Sequence, residues 1–187
     1  MVRKGYSGAI VLLAVLLFSG CGNSIHDLVR WDEREQVEAL IQRSPDAVHE
    51  LDALEKTPLF FAATFNRPEM ARLLVANGAD IEAGDRTGYR ALHVAASLNH
   101  TAVIEVLLEL GADIEARDKF GDTPLHVAGY WNRQNAIRLL VEKGADLTAR
   151  NERGLTPAEM ARDSVQEAAA ALLEELAGAG DSTAGAA

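Results

Sequence analysis

The chain is 187 residues long, room for one ordinary domain and some additional length. Its 28 acidic residues outnumber 18 basic ones, and five histidines add little at neutral pH, so a net charge of −10 argues against a nucleic-acid-binding or anionic-lipid-binding surface. Cys21 is the sole cysteine, which excludes an internal disulfide and a cysteine metal cluster.

Residues 1–20 stand apart from the rest of the chain. Arg3 and Lys4 make a basic start, Ala9 to Phe18 form a short apolar run, and the small pair Ser19-Gly20 precedes Cys21. This is a secretory signal layout. Leu17-Phe18-Ser19-Gly20-Cys21 resembles the lipobox of bacterial lipoproteins, with Phe18 where leucine is usual. The resemblance implies that Cys21 becomes the lipidated first residue of the mature chain. Gly22 after it, in place of Asp, implies export to the outer membrane of a Gram-negative cell, on the periplasmic side of the cell envelope. A plain signal peptide cut near Gly20 or Gly22, or an uncleaved anchor, fits the same residues. Residues 21–24 would then be a short lipidated tether.

Beyond the tether the chain falls into a rhythm. Gly78-Ala79-Asp80 returns as Gly111-Ala112-Asp113 and again as Gly144-Ala145-Asp146, a step of 33 residues each time. Leu59, Leu92 and Leu125 keep that step, as do Ala62, Ala95 and Ala128. Each unit reads as two short helices and a turn. Thr123 caps a first helix, and Pro124 sits at its first position, where a missing N–H does no harm. Asn132 breaks it, since asparagine tolerates the left-handed region; Asn66 and Asn99 take that place elsewhere. Ile137, Leu139, Leu140 and Val141 mark a second helix, which Gly144 ends. In the second unit Arg90-Ala91 replace Thr-Pro, so its first helix is expected to be the least well capped. A single unit cannot bury its apolar side, so neighbours must stack.

The flanks carry worn copies of the unit. Leu40-Ile41 stand 33 residues before Leu73-Leu74, and Val48 stands 33 before Ile81. Trp31 to Glu35 open a charged helix there, and Trp31 is read as packing. Thr156-Pro157 begin a shortened last unit, and Val165 to Leu176 form an alanine-rich helix former.

The Thr-Pro-Leu-His run at 123–126, the Leu-Leu pairs at 73–74, 107–108 and 139–140, and the three Gly-Ala-Asp triplets resemble the ankyrin repeat family over roughly residues 25–177. The resemblance implies an all-α ankyrin repeat solenoid, with helix-turn-helix units joined by β-hairpin loops. A cap would cover 25–56, repeats 57–88, 89–121 and 122–154, and a C-terminal cap 155–177. Residues 178–187 are read as a disordered tail.

No catalytic set emerges. Nucleophile motifs, phosphate loops and zinc spacings are all missing, so no enzyme, cofactor or metal is expected. The resemblance implies that His93 and His126 are structural, bonding near a helix start. Asp80, Asp113 and Asp146 follow a helix end in every unit and read as turn residues. Glu82 and Glu115 stand where the family often has Asn, which puts some hairpin hydrogen bonds in doubt.

In the family, hairpin tips and first-helix ends build a concave protein-binding face. Carried over, the partner-binding candidates are Phe65, Arg86, Tyr89, Leu98, Lys119, Phe120, Tyr130, Trp131 and Arg153, with Thr87, Ser97 and Asp122 among their neighbours. Much of the scarce aromatic content falls on this list, and Trp, Tyr and Arg are the usual interface anchors. Trp131 is the leading candidate. The expected function is a membrane-tethered, monomeric module that binds a protein partner. An accessory subunit stabilising or inhibiting one periplasmic enzyme is an alternative, and a cytoplasmic or host-directed protein another.

Overall fold

The computed structural model describes residues 24–183. The signal segment, Cys21 and the start of the tether lie outside the described residues. Ten α-helices and one 3-10 helix follow one another, and no strand is present among the described residues. The helices are α1 (Ile25–Arg30), α2 (Arg34–Arg43), α3 (Pro58–Thr64), α4 (Pro68–Ala76), α5 (Ala91–Ser97), α6 (Thr101–Glu109), α7 (Pro124–Tyr130), α8 (Gln134–Glu142), α9 (Pro157–Asp163) and α10 (Glu167–Thr183). The 3-10 helix, Pro45–His49, follows α2.

Successive helices pair, and the pairs stack in two layers. One layer runs α1, α3, α5, α7, α9, and the other runs α4, α6, α8, α10. The core lies between them and is built from the repeated aliphatics. Leu59, Leu74, Ile104, Leu107, Leu125, Ile137 and Leu140 are fully buried. Each contributes roughly 1.5–3 kcal/mol relative to exposure.

Local chemistry sets the helix ends. The hydroxyl oxygens of Thr57 and Thr156 accept from the N–H groups of Phe60 and Glu159, at 3.2 and 3.3 Å. Pro58, Pro124 and Pro157 occupy the first turns behind these caps. Arg90 has no side-chain oxygen to offer, so α5 keeps only the reciprocal bond, from the Arg90 N–H to His93 Nδ1 at 3.3 Å. Its guanidinium instead pairs with Glu82. Asn66, Asn99 and Asn132 end the first helices with φ of 53°, 62° and 53°. The next residue in that step, Val165, holds φ 60° without asparagine's tolerance.

The connecting loops are hairpin turns, closed by bonds from Asp85 N–H to Tyr89 O, Asp118 N–H to Asp122 O and Asn151 N–H to Leu155 O, with a single isolated bridge between Gly84 and Arg90 among the described residues. Two details depart from the sequence reading. The last helix starts at Glu167 and runs to Thr183, so the stretch 178–183 read as tail continues α10. Ala177 and Ala179 favour helix, and no proline stops it. Trp31 ends α1 and is exposed, where packing was expected.

Candidate protein-binding groove

The loops between repeats are organised by one position. Asp85 Oδ1 accepts from the N–H groups of Thr87 and Tyr89, at 2.8 and 3.1 Å. Asp118 Oδ1 does the same for Phe120 and Asp122, at 2.8 and 2.9 Å, and Asn151 Oδ1 for Arg153 and Leu155, at 3.0 Å each. Such side-chain bonds mimic a backbone turn and fix the tip. Each tip is then joined to the next. Lys119 N–H donates to Thr87 O at 2.9 Å, and Glu152 N–H to Phe120 O at 3.0 Å. Gly121 permits this approach: its φ is 73°, and a Cβ there would meet Glu152 N at 2.8 Å.

Two histidines tie the first helices to these loops. Thr123 N–H donates to His126 Nδ1 at 3.3 Å, so the ring proton sits on Nε2 and is donated to Leu155 O at 2.9 Å. His93 repeats the arrangement with Arg90 N–H and Asp122 O. Burial pushes both imidazoles below their ordinary pKa. Both ring nitrogens of each are thus occupied in structural bonds.

Between the loop tips and the first-helix ends runs a groove. It has two sections, of about 440 and 360 Å³, which share Thr87, Tyr89 and Trp131. Leu98, Phe120, Tyr130 and Trp131 line it with relative exposures of 40%, 60%, 42% and 51%. Their positions follow from the repeat. Trp31, Phe65, Leu98 and Trp131 each take the residue that ends a first-layer helix, so an apolar row marks that end of α1, α3, α5 and α7. Tyr130 and Trp131 meet edge to face at 5.2 Å.

The nine candidates divide. Tyr89, Leu98, Phe120, Tyr130 and Trp131 come together in the groove. Tyr89 is half-buried, its ring 5.1 Å from that of His93, and burial pushes its phenol up. Phe65, Arg86, Lys119 and Arg153 line neither section. Phe65 is half-buried beneath the Arg30 guanidinium, 5.1 Å from its ring centre. Arg86 pairs with Glu55 at 3.2 Å, Arg153 pairs with Asp163 at 2.6 Å, and Lys119 Nζ donates to Arg86 O. Asp85 and Asp118 line the groove and were not singled out in the sequence. The shared step of 85, 118 and 151 is the signal that marks them. Among the described residues no group of three His, Cys, Asp or Glu is placed to hold a metal ion. Cys21, the lipidation candidate, lies outside the described residues.

The fold is matched by the family comparison. A model of ankyrin repeats in three copies matches residues 25–118, and a single ankyrin repeat model matches residues 120–152. The chain belongs to the ankyrin repeat family. This ankyrin repeat chain is also similar to ankyrin repeat domain-containing protein 13B of Mus musculus and of Homo sapiens. Identity is 32% over 68 residues in each case, which is 36% of this chain. That stretch spans 11% of either relative. Ankyrin repeats are in general non-enzymatic interaction modules.

Proposed function

We propose that this ankyrin repeat chain is a non-enzymatic module that holds a segment of a protein partner in the groove between its loop tips and first-helix ends. One observation carries the reading: Leu98, Phe120, Tyr130 and Trp131 are large, apolar and exposed together along a recess. Contiguous exposed apolar surface with a polar rim marks an interaction site. The recess is also rigid, because loop-to-loop bonds hold it and little ordering is needed on binding. Its own polar groups serve turns and caps, which leaves it suited to docking.

The proposal extends to location. The lipobox-like run ending at Cys21 supports a chain anchored by lipid in the cell envelope, and Gly22 after it supports the periplasmic side of the outer membrane. Stable anchoring needs more than one acyl chain, and a lipoprotein cysteine carries several. Trp131→Ala tests the docking reading. It should leave the thermal transition unchanged while weakening the partner by roughly 2 kcal/mol, about 30-fold. Unfolding, or unaltered affinity, would count against the groove.

A further inference from the structure

The groove carries a charge pattern alongside its apolar one. Asp85 lines the first section, and Asp118 and Asp122 line the second. None of these three carboxylates has an ion-pair partner among the described residues. Backbone N–H groups bond one oxygen of Asp85 and of Asp118, and Asn151 Nδ2 donates to Asp122 Oδ1 at 2.7 Å. Two bases border the first section, but both are engaged: Lys56 Nζ lies 4.7 Å from the Phe60 ring centre, and Arg133 Nε donates to Ser97 O at 2.6 Å. Among the described residues no lysine or arginine lines the second section.

The aromatic faces point the same way. Arg30 covers Phe65, and Lys56, at the border of the first section, covers Phe60. No such cation covers Phe120, Tyr130 or Trp131 among the described residues. Ring faces attract cations, and arginine most often fills the role because its planar guanidinium also stacks. Asp122 is buried at 7% exposure, and that burial pushes its carboxyl up, so a cation seated beside Asp118 favours the charge of Asp122 from close by.

We infer that the groove selects its partner by a basic side chain, arginine above lysine, seated against Phe120, Tyr130 and Trp131 and beside Asp118 and Asp122. The occupant is a protein segment that presents this base next to apolar residues. The inference rests on the docking reading above and adds the chemistry of the partner to it. A chain of net charge −10 also draws such a segment in at long range.

A neutralising variant is supplied by the molecule itself. Asn151 holds, with the same Oδ1 bonds, the turn that Asp85 and Asp118 hold in the preceding loops. The double variant Asp85→Asn/Asp118→Asn therefore removes two charges and keeps both turns. A displayed library of random dodecapeptides is selected on the full chain in detergent. The expected peptides carry an arginine or lysine at a fixed position. Their affinity falls about tenfold with citrulline at that position, falls similarly on the double variant, and falls with Trp131→Ala. Peptides that need Trp131 but tolerate citrulline and the double variant would overturn the inference and leave the docking reading standing. Peptides indifferent to Trp131→Ala, or no selected peptides, would bring down both.

Discussion

Glu82 accepts the backbone N–H of Asp113 through Oε1 at 2.9 Å, from one repeat into the next. Glu115 repeats the contact with the N–H of Asp146 at 2.7 Å. On sequence alone these loop bonds are in doubt, because glutamate replaces asparagine. The longer side chain restores an acceptor, and in Glu82 it also pairs with Arg90. Glu82→Ala and Glu115→Ala should each lower unfolding free energy by about 1 kcal/mol, while the glutamine variants, which keep the acceptor, should lose less. Urea titration measures the difference. Equal losses for Ala and Gln would assign the effect to charge instead.

Val165 holds φ 60° and is 78% exposed, in the step that Asn66, Asn99 and Asn132 occupy. A β-branched residue is strained there and gains no burial in return. Val165→Asn should stabilise the domain by about 1 kcal/mol and raise the melting temperature by a few degrees. A lower melting temperature would show that Val165 has a contact worth more than its strain.

His93 and His126 make the fold acid-sensitive. Burial lowers both below the ordinary value of 6.5, so the unfolded chain binds protons more readily than the folded one. Their stabilising contribution is complete above that value and is lost as pH falls through it toward the lowered folded values. Asp122 and Glu115, raised by burial, act in the opposite direction, starting from ordinary values of 3.8 and 4.5. The melting temperature should therefore fall between about pH 7 and 6. A flat profile over that range would mean that neither imidazole resists protonation.

The fold was legible because its determinants are local and periodic. Thr57, Thr123 and Thr156 cap helices in the step the sequence shows, and Asn66, Asn99 and Asn132 end the first helices of three successive units. Tyr130, Trp131 and Phe120 reach the groove because their places in the unit fix where they point. What escaped was set by neighbours or by phase. Trp31 joins the helix-end row, yet it stands 34 residues before Phe65 in a chain whose step is 33, so the pattern hides it. Arg86 and Arg153 look like interface anchors by residue type, but each has an acid within reach, Glu55 and Asp163. Asp85 and Asp118 share a step of 33 with Asn151, but their turn bonds and their position along the groove come from the structure. The alanines at the end of α10 continue a helix that small, polar composition had suggested would stop.

The most direct test is photo-crosslinking in the cell from position 131, with a matched probe at Arg138 on α8, an exposed residue of the other layer. The account predicts a discrete protein adduct from 131 and none from 138. Equal labelling at both positions, or no adduct from 131 in a folded chain, would contradict it.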